Sequence, residues 1–212
     1  MELKDIKGWQ RTIHEYRFAL RELETKVMIL NTEWKLRDGY SPIEHVKVRL
    51  KEPESIINKM KRKNLQVTEE NIVNHIQDIA GMRIVCAFVK DIYHIIDHMK
   101  LRSDLRIVQI KDYIAAPKPN GYQSVHLIVQ VPLVLSDGTR WVYAEIQLRT
   151  MAMDFWASLE HILYYKFDKR VPPHVQQELT DAAKAAYELD EKMLQLRREI
   201  IQFAEEEEKS VV

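Results

Sequence analysis

Glu145, Gln147 and Arg149 alternate along the run WVYAEIQLRT at 141–150, and the residues between them, Ala144, Ile146 and Leu148, are apolar, as is Val142. Side chains alternate across a strand, so this pattern predicts a strand with one core face and one polar face. The three polar groups then project together. The apolar stretch MAMDFWASLEHILYY follows at once and predicts a helix, so the strand should lie well inside the domain. A carboxylate there needs a partner, commonly a cation. Glu145 is therefore a candidate metal ligand or proton acceptor.

A second carboxylate, Asp78 in DIAGMRI, stands just before a predicted strand over 82–88, and Arg83 begins that strand's polar set. Upstream lie Arg49 and Lys51, then a helix opened by Pro53, whose missing N–H costs nothing in a first turn. Ser55, Lys59 and Arg62 are spaced i, i+4, i+7 and share a stripe, with Ile56 and Met60 on an apolar face. A hydroxyl near a helix N-terminus among cations suits a polyphosphate, although one such cluster alone reads more simply as solvated surface. The loop AAPKPNGYQS supplies Lys118 and Tyr122, and His126 follows it. Its prolines and Asn-Gly suit a ligand-binding loop or a plain connector. Hard carboxylate oxygens suit Mg²⁺ completed by water and phosphates. The cations suit phosphates, and the tyrosine offers a flat face to a nucleobase. Together these groups point to phosphoryl-type transfer between nucleotides.

The elements that must position them follow from periodicity. Trp9, Ile13, Tyr16, Leu20, Leu23, Val27, Leu30 and Trp34 form a heptad seam on a helix over 3–36. It predicts a helix–helix interface, within or between chains, at least as strongly as packing on its own domain. RDGYSP breaks that helix. Thr68 caps a short helix to His75, and 91–99 is an amphipathic helix. Its His94 and His98 lack a third ligand and read as surface. Strands are predicted over 105–114 and 124–131. Asp137-Gly138 signals a hairpin that pairs the latter antiparallel with 141–150, placing His126 on the face of Glu145. The helix over 150–167 carries Asp154 in its first turn and Glu160 further on. Pro172-Pro173 starts a last helix with a second seam, Leu189, Met193, Leu196, Ile200 and Phe203, and the tail EEEEKSVV is expected to fray.

The 212 residues fit one domain, 1–212, with an N-terminal helix at 3–36, a catalytic core at 42–167 and a C-terminal helix at 172–205. Lys+Arg and Asp+Glu are both 32, giving zero net charge. That disfavours a general nucleic-acid coat and a stable nucleic-acid partner, but leaves room for a local basic pocket. Cys86, the only cysteine, reads as a buried small hydrophobe. With no signal peptide and no run long enough to span a bilayer, a soluble cytoplasmic protein without a membrane partner is expected.

DIAGMRI, KPNGYQSVH and AEIQLRTMAMDFWASLEH, in that order, closely resemble the synthetase domain of the RelA/SpoT alarmone enzymes, and the chain as a whole resembles their small, RelP-type members. The resemblance implies an α/β (α+β) fold with a mixed, mainly antiparallel sheet of about five strands surrounded by helices. It also implies transfer of the β,γ-pyrophosphate of ATP to the 3′-hydroxyl of GDP or GTP, with release of AMP and no hydrolase activity. Carried over by position, Asp78 and Glu145 would hold Mg²⁺, and Glu145 would take the 3′-hydroxyl proton. Arg49 and Arg83 would sandwich adenine with their planar guanidiniums. Lys51, Ser55, Lys59 and Arg62 would hold the ATP phosphates. Tyr122 would stack on guanine, Lys118 and His126 would lie near the acceptor phosphates, and Gln147 and Asp154 would belong to the acceptor site. Some relatives carry Asn at the position of Asp154. The family's small members are homotetramers, and the helical seams suit that. Two other readings are a pyrophosphokinase acting on an adenosine nucleotide or a tRNA 3′ end, and a catalytically silent nucleotide- or RNA-binding regulator.

Overall fold

The computed structural model describes residues 9–166 and 172–210. The expected helix start at 3–8 and the core boundary at 167 lie outside the described residues. The elements run α1 (Gln10–Asp38), β1 (Ile43–Leu50), α2 (Pro53–Arg62), α3 (Glu69–His75), β2 (Ala80–Cys86), α4 (Val89–Leu101), β3 (Arg106–Asp112), β4 (Val125–Leu135), β5 (Gly138–Thr150), α5 (Met151–Lys166) and α6 (Pro173–Ser210). Local chemistry sets several boundaries. Pro53 opens α2, and the Thr68 hydroxyl accepts the Asn71 N–H at 3.2 Å to cap α3.

The five strands form one sheet in the order β1-β2-β5-β4-β3. Only β2 and β5 run parallel; the other neighbours are antiparallel. The hairpin between β4 and β5 closes at Gly138 opposite Leu135, as Asp137-Gly138 predicts. One sheet face is apolar: Met82, Ile84, Ala144, Ile146, Leu148, Val125, Leu127 and Val129 are all buried. Against this sheet packs α1, contributing the buried Tyr16, Ala19, Leu20, Leu23, Val27 and Leu30 to the same core.

That packing corrects one expectation. The heptad seam of α1 is spent on the chain's own sheet rather than on another helix. A 3.5-residue spacing creates an apolar stripe but does not specify what covers it. Strand β1 does not stand out from its flanks in the sequence, because only Ile43 in it is buried and it lies at the edge of the sheet. The tail differs as well: α6 continues through Ser210 instead of fraying from residue 205. His94 is exposed as expected, while His98 sets its ring edge-on to Trp34 at 5.7 Å.

Helix α6 is tied to the sheet by a buried contact. Thr150, the last residue of β5, donates its hydroxyl proton to Asp190 and accepts the Met153 N–H at 3.2 Å. Burial lifts the Asp190 carboxyl from 3.8 to about 6, opposed by the Thr150 hydrogen bond and aided by Glu191. The native group thus keeps its proton where the unfolded chain has released it. Its contribution to stability is complete below pH 3.8 and is lost as pH rises through about 6. Asp190→Asn should flatten that slope, a change of order 1–2 kcal/mol after solvent screening. Thermal melts across this range check it; a variant with the wild-type slope would remove Asp190 as its source.

Candidate active site

Opposite the apolar face, register brings the chemical groups into two rows. Lys47 pairs with Arg83, Arg83 with Gln147, and Gln147 with His126, so one row crosses β1, β2, β5 and β4. The adjacent row is Arg49, Gly81, Glu145 and Ile128. Ile128, apolar on the polar side of β4, is the buried floor beside Glu145. Gly81 stands between Arg49 and Glu145, and an added Cβ would lie 3.2 Å from Arg49 Cγ and 3.3 Å from its Nε, tight enough to push that side chain by a few tenths of an ångström. The Arg49 side chain therefore lies over the glycine. Lys47, Arg49, Gly81, Arg83 and Gln147 line a cleft of about 220 Å³.

Glu145 sits at the end of a hydrogen-bonded chain. Arg149 Nη2 donates to Tyr122 Oη at 2.6 Å. Tyr122 Oη lies 2.7 Å from His126 Nε2, and His126 Nδ1 lies 3.1 Å from Glu145 Oε1. With the tyrosine donating to Nε2, the neutral imidazole carries its proton on Nδ1 and donates to Glu145. A second branch reaches the other oxygen: Arg149 donates to Gln147 Oε1 at 3.2 Å, and Gln147 Nε2 donates to Glu145 Oε2 at 3.0 Å. Burial pushes the Glu145 carboxyl up, but His126 and Gln147 outweigh it and hold the group below its ordinary value, against a small upward push from the charge of Asp78. Glu145 is thus a well-defined anion, close enough to Asp78 to feel it.

Asp78 is held by cations. Lys51 Nζ and Lys59 Nζ each lie 2.7 Å from its Oδ2. Burial raises its carboxyl, and the hydrogen bonds and charges of these lysines more than reverse the rise. Its other oxygen, Oδ1, is buried without a hydrogen-bond partner. A buried, unpartnered carboxylate oxygen within electrostatic reach of a second carboxylate fits a hard divalent cation. Among the described residues no cluster of three or more His, Cys, Asp or Glu is present, so any such ion would take its remaining ligands from water or phosphate.

The expected residues divide by place. Lys51 and Lys59 converge on Asp78, whereas Ser55 and Arg62 are exposed on α2. Arg83 pairs with Asp154 at 3.0 Å, not with a donor-side partner. Lys118 Nζ stands 4.7 Å from the Tyr113 ring centre and 4.6 Å from that of Tyr122. Gly121, at φ 87°, bends the loop in a conformation that L side chains rarely adopt. An added Cβ there would also meet Ala183 of α6 at 2.5 Å. Asn120 donates to Glu160 at 3.1 Å, so Glu160 anchors the loop that carries Tyr122.

Two residues escaped assignment from sequence. Arg149 is only 5% exposed, with its guanidinium 5.1 Å from the Tyr122 ring centre. Its alternation with Glu145 and Gln147 on one strand face is the available signal, but alternation alone assigns it no role. Tyr113, edge-on to Tyr122 and His126 at 6.1 and 5.2 Å, carried no local signal.

A five-stranded mixed sheet that sets two carboxylates among arginines and lysines on one face defines an α+β protein built to handle anionic ligands. The chain belongs to the RelA/SpoT family: the model described as "Region found in RelA / SpoT proteins" matches residues 48–170. It is 49% identical over 200 residues to the GTP pyrophosphokinase YwaC of Bacillus subtilis, covering 94% of this chain and 95% of that protein. It is 42% identical over 196 residues to YjbM, a GTP pyrophosphokinase of the same organism, covering 92% of each. The fold matches the crystal structure of B. subtilis small alarmone synthetase 2 with a TM-score of 0.82 at 49% identity, over 90% of this chain and 98% of that one. It also matches B. subtilis small alarmone synthetase 1 bound to its product pppGpp, with a TM-score of 0.84 at 42% identity, over 92% and 98%.

Proposed function

We infer that the chain is a (p)ppGpp synthetase, moving the β,γ-pyrophosphate of ATP to the 3′-hydroxyl of GDP or GTP and releasing AMP. One observation carries this reading. The residues of all three motifs converge around Glu145 on one sheet face, in a chain similar along its length to GTP pyrophosphokinases.

On this reading Glu145, kept ionised by its partners, accepts the 3′-hydroxyl proton as that oxygen attacks the β-phosphorus. Arg49 and Arg83 flank the donor base across their cleft. Lys51 and Lys59, with the exposed Ser55 and Arg62, take the donor phosphates. Tyr122, Lys118, His126, Gln147 and Asp154 form the acceptor side. Asp78 and Glu145 would hold Mg²⁺, which when bound neutralises phosphate charge developing in transfer. Holding donor and acceptor in line accounts for most of the acceleration expected of such a site.

The reading extends to the assembly and its setting: one catalytic unit, 42–167, between terminal helices, acting in the cytoplasm in the stringent response. Among the described residues no helix is long and apolar enough to cross a membrane. A homotetramer is supported by α6, whose Leu189, Met193, Leu196, Ile200 and Phe203 are 40–69% exposed in the isolated chain. They form the kind of uncovered apolar seam that a second helix buries. Ile200→Asp should split the assembly into smaller species by size-exclusion with light scattering; an unchanged mass would take this seam out of the interface.

Chromatography of products from ATP with GDP, GTP, an adenosine nucleotide or tRNA tests the activity. AMP and a 3′-pyrophosphorylated guanosine nucleotide are expected, and absence of AMP with either guanosine acceptor would overturn it. Tyr122→Ala should raise the KM for GDP roughly tenfold, the scale of one lost base stack. ATP affinity should be little changed; an equal loss for both nucleotides would contradict the stacking role.

A further inference from the structure

We propose that Asp154 positions the donor-side arginine as well as serving the acceptor side, and so joins the two nucleotide subsites of the reaction inferred above, on which this proposal rests. Asp154 Oδ1 lies 3.0 Å from Arg83 Nη1 and 3.3 Å from Arg149 Nη1. The two arginines come from adjacent parallel strands and project from the same sheet face. Arg83 is half-buried and lines the cleft with Lys47, Arg49 and Gln147. Arg149 is buried and reaches Tyr122 on the loop side. An unbroken path of ion pairs and hydrogen bonds therefore runs from the cleft through Asp154 to the ring assigned to the acceptor base.

The two guanidiniums repel one another, and the carboxylate between them holds Arg83 beside Arg149, which Tyr122 and Gln147 also hold. Burial, then the charge of Arg149, disfavours the charged form of Arg83, and Asp154 opposes both. Asp154 lies in the first turn of α5, where a negative charge is favoured. Its contact with Arg83 is an ion pair to one terminal nitrogen, Nη1, which holds the guanidinium by charge at the cleft. Without that charge Arg83 has no reason to stay beside Arg149 and turns toward water. The stacking plane is then lost on the donor side, although Asp154 itself sits with the acceptor residues. Fixing Arg83 also fixes Arg149 and Tyr122, so occupancy of one subsite tightens the other, with equal coupling in both directions.

The test is binding of the ATP analogue AMPCPP, by calorimetry, with no guanosine nucleotide present. Asp154→Asn keeps the shape and removes the charge; Asp154→Ala removes both. AMPCPP affinity should fall about fivefold or more in the asparagine variant and further in the alanine variant, with the asparagine variant melting within a few degrees of wild type. An asparagine variant whose AMPCPP affinity stays within twofold of wild type, while only GDP binding weakens, overturns the proposal. Wild-type turnover of ATP with GDP is assayed separately. Absence of product there sinks the reaction itself, whereas the AMPCPP titration, which needs no turnover, decides the role of Asp154.

Discussion

Glu145→Gln is expected to fold, to bind ATP, and to make no measurable alarmone. Gln fits the same space between β2 and β4, and its amide oxygen can still accept from His126 Nδ1. The other position then presents an NH₂ to Gln147 Nε2, donor against donor, unless Gln147 also turns. Turning Gln147 would only move the clash to Arg149 Nη2, which donates to Gln147 Oε1, so one hydrogen bond of the network is lost at modest cost, while the anion at its centre is gone. With it go the acceptor for the 3′-hydroxyl proton and half of the carboxylate pair. General-base removal alone costs about 10²–10⁴ in rate, and loss of charge stabilisation adds to that. The checks are AMP and pppGpp formation by chromatography, a thermal melt, and AMPCPP affinity. Turnover within a few-fold of wild type would end the catalytic role of Glu145. Loss of AMPCPP binding in parallel with turnover would recast it as a binding group.

Asp78→Asn should be nearly as damaging, for a different reason. Lys51 and Lys59 both rest on Oδ2 at 2.7 Å. Asn leaves two ammonium groups facing a neutral amide in a partly buried site, so they lose the charge that gathers them. The unpartnered Oδ1, the atom free to ligate a cation, is no longer part of an anion. A fall in kcat/KM of about 10²–10³ is expected, the scale of losing a group that stabilises charge in the transition state. The Mg²⁺ concentration for half-maximal rate should rise with it. A Mg²⁺ titration at fixed ATP separates the two duties: a slower enzyme with an unchanged Mg²⁺ requirement would leave Asp78 as a lysine clamp and no metal ligand. The fold should also weaken. The lysines hold the Asp78 carboxyl below its ordinary value, so its contribution is present above pH 3.8 in wild type and lost as pH falls through the native value. The asparagine variant should lack that acid-side loss in thermal melts.

Much of this was legible along the chain. The two-faced run at 141–150 names its own strand, its core face and the three polar groups beside one another. Asp137-Gly138 fixes a local pairing, and with it the proximity of His126 to Glu145, because a two-strand hairpin leaves little choice of register. Pro53 and Thr68 mark helix starts by what their side chains do to the first turn. These are short-range effects, decided by neighbours within a few residues.

What the sequence by itself determined, then, is which residues share a strand face or a helix stripe, where turns fall, and, through three ordered motifs, the family. Tertiary structure alone decided the rest. The parallel pairing of β2 with β5 sets Gly81 against Glu145 and Arg83 against Gln147 across sixty-odd residues. No local signal encodes it, because β2 must cross over α4, β3 and β4 before its partner arrives. That pairing is what brings Asp78 into reach of Glu145 and gives Arg149 a carboxylate to share with Arg83. It also leaves the seam of α1 buried on a sheet and that of α6 exposed in the isolated chain. Periodicity determines that a stripe is apolar, but only the packing of distant elements determines what covers it.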